Sequence, residues 1–155
     1  MHPNCIAVDA ALAAAGVSGR VRLLPDAAPT AAAAAGQLGV EVGAIANSLV
    51  FATAGAEPVL VLTSGAHRVD TAKVAALLGT STLRRADADL VRAATGQPIG
   101  GVAPVGHPGK LRTLVDVALR AYPQVWAAGG IPHAVFPTTF DELVLLTGGE
   151  PADVA

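Results

Sequence analysis

The chain has 155 residues and a net charge of −2, with 52% hydrophobic and 14% charged residues; this is enough for one domain spanning 1–155 with a full core, and too little positive charge to neutralise many phosphates along a duplex, which excludes DNA as a partner. Three Phe, one Tyr and one Trp exclude an aromatic stacking platform for single strands, and the single cysteine excludes an internal disulfide and fits a reducing cytoplasm. Much of the hydropathy comes from alanine, and the uncharged runs 27–40 and 42–56 fall short of the roughly 18–20 apolar residues that span a bilayer, so no membrane association is expected.

Residues 4–15 set Ile6, Leu12 and several alanines among few polar groups and predict a helix ending at Gly16. Asp9 inside this run, and the lack of basic residues before it, argue against a secretory signal. Cys5 reads as a small buried thiol, because no His or Asn partner can be assigned to it by spacing. Val21–Leu24 predicts a short strand closed by Pro25, and Thr30 caps an Ala-rich helix that stops near Gly36–Gly39.

Ala44–Phe51 and Val59–Thr63 predict two apolar strands joined as a hairpin through Ala54–Glu57. Asn47 and Ser48 are the polar exceptions in the first strand, and a polar pair there either completes a hydrogen-bond network or faces a pocket. Asp70 caps a helix over 71–78, 81–85 resembles a short strand, and Asp87 caps a helix over 88–94 with Gly96 as its stop. Further on, 111–115 and 124–128 read as strands flanking a helical turn near 118–122. Thr139 and Glu142 form a capping box for a helix over 140–147. The element order predicts an α/β, or mixed α+β, domain built on a mixed sheet.

The chain is organised around Thr95-Gly96-Gln97-Pro98-Ile99-Gly100-Gly101-Val102-Ala103-Pro104-Val105-Gly106. Four glycines and two prolines specify a stiff loop with a bare backbone. It holds no strong acid, base or nucleophile. Either it is a turn between two elements, or it acts by aiming N–H groups at a carbonyl or anion. Arg84, Arg85, Arg92, Lys110 and Arg112 bracket it, mostly as a solvated face, with one or two available to phosphates. Gly129-Gly130 begins a second glycine turn, in which His133 is a pocket donor or simply a loop histidine. No phosphate-binding loop, nucleophile elbow or metal-ligand spacing is present, the four histidines are scattered, and neither metal nor cofactor is expected.

Gly100-Gly101-Val102-Ala103-Pro104-Val105-Gly106, preceded by Thr95-Gly96, resembles the glycine/proline loop of the YbaK/ProX family, the freestanding relatives of the editing domain inserted in bacterial prolyl-tRNA synthetase. Asn47-Ser48-Leu49-Val50-Phe51, Asp70-Thr71-Ala72-Lys73-Val74, Gly129-Gly130 and Phe140-Asp141-Glu142-Leu143 follow that family's order, from Thr30 to Val154. The resemblance implies a curved, mixed, mostly antiparallel sheet forming a pseudo-barrel flanked by helices. It implies hydrolysis of the ester joining a wrong amino acid to the terminal adenosine of a tRNA, with water as nucleophile. Carried over by position, Gly100, Gly101, Val102 and Ala103 line the carbonyl site, and Asn47, at the position near the terminal nucleotide, is counted with them as catalytic. Ser48, Pro104, Gly129, Gly130 and His133 bind substrate. The partners implied are the aminoacyl-tRNA 3′ end, notably tRNA-Pro bearing Ala or Cys, and a synthetase such as prolyl-tRNA synthetase. Asn47 stands where many members carry lysine, and Ala103 where serine is common. The alternative is a non-catalytic module that binds aminoacyl-tRNA or a synthetase.

Overall fold

The predicted caps and apolar runs set most of the element boundaries. In the computed structural model, which describes residues 1–155, the order is α1 (Pro3–Ala14), β1 (Arg22–Leu23), α2 (Ala31–Leu38), β2 (Ile45–Thr53), β3 (Pro58–Ser64), α3 (Thr71–Leu78), β4 (Leu83–Arg85), α4 (Ala88–Thr95), β5 (Arg112–Asp116), β6 (Val125–Ala128), β7 (Ala134–Thr138), α5 (Phe140–Thr147) and β8 (Glu150–Ala152), with 3₁₀ turns at Val42–Ala44 and Val117–Ala121. Thr30, Asp70, Asp87 and Thr139 each accept a hydrogen bond from the backbone N–H three residues on, at 2.8–3.1 Å. These caps satisfy donors that the first helical turn leaves open. The capping box at α5 is one-sided, because the Glu142 carboxylate turns to the Thr138 hydroxyl at 3.2 Å.

The strands form one mixed sheet in the order β1-β7-β6-β2-β3-β5-β8, with β4 also paired to β2. Four pairings are antiparallel (β1 with β7, β7 with β6, β2 with β3, β2 with β4) and three are parallel (β2 with β6, β3 with β5, β5 with β8). β1 and β8 end the path without meeting, so the sheet stays open and does not close as a barrel. No helix is long and apolar enough to cross a membrane.

Period-two alternation sorts side chains to the two faces. Leu60 and Leu62 of β3 join Val8 and Leu12 of α1, Val91 of α4 and Leu143 of α5 in the main core. Val59 and Val61 pack on the other face with Val74 of α3, while Ile45 and Trp126 meet Ala34 and Ala35 of α2. Helices therefore cover both faces. Cys5 is fully buried in the main core, and burial, with Asp9 nearby, pushes its thiol pKa up, as suits a packed rather than reactive sulfur.

One discontinuity in the sheet positions the site. Along one edge β2 pairs with β6 only at Ile45 and Ala46, and with β4 only at Phe51, Ala52 and Thr53. Residues 47–50 have no strand beside them there. The Val50 carbonyl points to that edge, accepting from Ala86 N at 3.0 Å. By antiparallel alternation Ser48 turns its own N–H and C=O the same way, into the opening.

Candidate functional site

The glycine loop is shaped from within by a polar side chain. Gly96, at φ 71°, ends α4 in the left-handed region and turns the chain into the loop. Thr95 donates to the Val91 carbonyl at 2.6 Å and accepts from Gln97 N at 3.1 Å. Gln97, 2% exposed, runs across the inside of the loop: its Oε1 accepts from Ala103 N at 2.6 Å and its Nε2 donates to the Val105 carbonyl at 3.2 Å. A buried amide whose oxygen and nitrogen are both paired in this way fixes the loop at little burial penalty. From the other side His107 Nε2 donates to the Ala103 carbonyl at 2.7 Å. Burial lowers the His107 pKa, outweighing the opposing effect of that bond, and so favours the neutral ring.

These bonds decide which loop amides remain free. Gly101 N donates to the Pro98 carbonyl at 3.1 Å and Ala103 N is taken by Gln97. Gly100 N and Val102 N have no partner in the protein. Of the four loop residues that the resemblance sets at the carbonyl, Gly100 and Val102 keep an unpaired amide and Gly101 and Ala103 do not. Gly101 serves packing instead: a Cβ there would lie 2.7 Å from Ile131 and 2.9 Å from Pro132 N, so the loop rests directly on the second glycine turn.

Gly100 and Val102 border a cavity of about 700 Å³ that opens where β2 lacks a neighbour, within the size range of small-molecule sites. Asn47 and Ser48 line it as well. Neighbouring strand residues point to opposite faces, and both reach one cavity because it passes through the gap in the sheet. The Ser48 hydroxyl is the one buried side-chain polar atom without a hydrogen-bond partner. Such an atom is costly unless something else pairs with it.

The other expected residues lie behind this opening. Ala103, Pro104, Gly129 and Gly130 are buried and do not border the cavity. Gly129 N donates to the Ala134 carbonyl at 2.7 Å, and the Gly130 carbonyl accepts from the Asn4 side chain at 3.0 Å, tying the turn to α1. His133 is half-buried; Pro132 and Ala134 on either side of it line the cavity and His133 does not. A second hollow of about 590 Å³, bordered by Pro104, His107 and Lys110, contains neither Gly100 nor Val102.

Sequence reading passed over three cavity or loop groups. Gln97 stood in the quoted loop, and a long amide among glycines was the available signal. His67 and Arg68 follow β3 in Gly65-Ala66-His67-Arg68 and both line the cavity. Of the five cations bracketing the loop, Arg85 alone borders this cavity, its guanidinium 5.8 Å from the Phe51 ring centre. His67 Nε2 lies 2.5 Å from Oδ2 of Asp116.

Comparison with known proteins places this architecture. Residues 25–146 match the model of the aminoacyl-tRNA editing domain, and the chain belongs to that family. A solved structure assigned as a candidate trans-editing enzyme for prolyl tRNA synthetase is 43% identical, with a TM-score of 0.92 over 99% of this chain and 98% of that one. A scaffold protein used for epitope backbone grafting is 42% identical, with a TM-score of 0.91 over 99% and 97%. Proline–tRNA ligase of Nitratidesulfovibrio vulgaris is 36% identical over 83 residues, 54% of this chain but 14% of the ligase. The uncharacterized protein YwhH of Bacillus subtilis is 31% identical over 110 residues, 71% of this chain and 69% of that protein.

Proposed function

We propose that the protein is a trans-editing deacylase that hydrolyses the ester between a wrong amino acid and the terminal adenosine of a tRNA, tRNA-Pro carrying Ala or Cys being the substrate class. Membership of the editing family and the solved neighbour support the class of reaction. The observation that carries the assignment to this cavity is the pair of unpartnered amides, Gly100 N and Val102 N, on one cavity with the orphaned Ser48 hydroxyl.

Alternate amides on a stiff loop suit an ester carbonyl. When water adds, negative charge builds on the carbonyl oxygen, and donors already fixed in place stabilise it with no reorganisation; one such donor is worth about 10²–10³ in rate. An ester is an activated bond, so positioning supplies much of the remainder. Gln97 and His107 hold the loop, and Gly101 fits it against the second turn. Asn47 retains a donor where the family's lysine is missing. In this reading Arg68 and Arg85 supply the positive charge for the terminal phosphates. The work belongs in the cytoplasm, where a synthetase such as prolyl-tRNA synthetase releases the mischarged product.

The test is deacylation of a panel of mischarged tRNAs by the purified protein. Turnover of Ala- or Cys-tRNA-Pro, and a fall of 10²-fold or more in Gly101→Ala, is expected. No turnover on any member at high enzyme refutes the proposal, and tight binding without turnover makes the protein a binding module instead.

A further inference from the structure

The deacylase reading leaves the contact between His67 and Asp116 unused. Asp116 ends β5 and is 1% exposed. Its Oδ2 accepts from Ser64 N at 2.8 Å and from His67 Nε2 at 2.5 Å, and its Oδ1 accepts from Ala118 N at 2.9 Å. Two backbone donors therefore hold the carboxylate still, the Thr63 hydroxyl lies 3.4 Å from Oδ2, and of these two side chains the imidazole belongs to the residue that borders the cavity. An ionised carboxylate only accepts, so the ring proton sits on Nε2 and the lone pair on Nδ1. Nδ1 has no partner in the protein. His67 borders the same cavity as Gly100 and Val102, near the Asn47 end of the opening, since it follows Ser64, which pairs with Ala46 of β2.

A buried acceptor behind a half-exposed imidazole does two things. It fixes the tautomer, and it stabilises the imidazolium that forms when Nδ1 takes a proton. The other charged groups around the ring are Arg68 beside it, Arg85 on the same cavity, and Asp153, whose carboxyl is held low chiefly by Lys73 at 2.7 Å and in part by His67.

We propose that His67, pinned by Asp116, is the proton acceptor for the water that attacks the ester. Resting on the deacylase reading, the step runs as follows. The water oxygen bonds to the ester carbonyl carbon while its proton passes to His67 Nδ1; the charged carbonyl oxygen is held by Gly100 N and Val102 N. The bond from that carbon to the ribose oxygen then breaks, and Nδ1 returns the proton to the departing oxygen. The products are the free amino acid and an intact tRNA hydroxyl.

The test compares the wild type with His67→Gln and His67→Ala on the most rapidly deacylated tRNA of the panel, across pH. In His67→Gln, kcat falls about 10²-fold or more, KM stays within about threefold, and the loss of kcat/KM that the wild type shows on the acid side disappears. Added imidazole restores part of the rate of His67→Ala. A merely structural His67 would lower the melting temperature and leave the shape of the pH profile intact. A wild type silent on every ester refutes the deacylase reading and the proton role together. An active wild type whose His67→Gln variant matches it in kcat and pH profile refutes the proton role alone.

Discussion

Replacing Gly101 by alanine isolates what the contact between the two glycine turns does. The new Cβ would stand 2.7 Å from the Ile131 backbone carbons and 2.9 Å from Pro132 N. Carbon atoms settle about 3.5–4.0 Å apart, so the turns must part by roughly 1 Å. No flexible side chain can swing aside, because the opposing atoms are backbone. Gly101 itself lies outside the left-handed region, so the cost is steric rather than conformational. Overpacking of this kind costs about 1–3 kcal/mol, which in a chain of this size lowers the melting temperature by roughly 3–10 °C. The catalytic effect is larger, since misplacing an aligned group by about 1 Å costs about 10²-fold. Gly100→Ala is the control: space around it is open, but its φ of +89° strains an L residue, so it loses about 1–2 kcal/mol of stability without displacing the second turn. Thermal melting and deacylation kinetics on both variants make the test. If Gly101→Ala melts within a degree of the wild type and deacylates at the same rate, the reasoning about loop seating is wrong.

Gln97→Leu keeps the volume but strands Ala103 N and the Val105 carbonyl, so chemical denaturation should show a loss of about 2–5 kcal/mol from two unsatisfied buried groups; a loss below about 1 kcal/mol would mean that the loop holds its shape unaided. His107 has a folded pKa below the ordinary 6.5 because burial disfavours its charged form. The unfolded chain therefore takes up the proton first as pH falls, and the stability owed to neutral His107 is complete above pH 6.5 and lost on descending towards the folded pKa. Melting followed from about pH 7 to 5.5 should fall more steeply in the wild type than in His107→Gln, and parallel curves would contradict this assignment. Asn47→Lys adds a cation to the cavity wall and should tighten binding of the tRNA 3′ end while steepening the salt dependence of log K by about 0.7. An unchanged slope would place residue 47 away from the phosphates.

Local signals carried the helices furthest. Thr30, Asp70, Asp87 and Thr139 are caps whose chemistry acts within three residues, so these four of the five helix starts were legible. The β2–β3 hairpin was equally clear, because two apolar runs sit either side of a short turn. β7 and β8 were not. Ala134–Thr138 carries Pro137 and Glu150–Ala152 is three residues around Pro151, and neither shows strand patterning. Both exist because a neighbour pairs with them: β7 lies antiparallel between β6 and β1, and β8 runs parallel to β5. Pairing partners far along the chain leave no mark on a five- or three-residue stretch.

The same distinction divides the candidate site. The glycine loop announced itself through composition, yet composition makes every amide in it look equivalent. Which amides are free depends on Gln97 reaching six residues ahead to Ala103 N and on Gly101 N closing back on Pro98. The cavity is less legible still, because it is a missing strand. Its opening exists only where β6 stops at the register of Ala46 and β4 begins at that of Phe51, pairings set 81 and 34 residues away. His67 and Asp116 are 49 residues apart and look like an ordinary loop histidine and an ordinary strand-end carboxylate until parallel pairing of β3 with β5 sets Asp116 beside the turn after β3. A side chain brought into play by register alone is what reading the sequence for motifs passes over. On the proposal that His67 accepts the proton, a base assembled across two strands leaves no spacing for a motif to record.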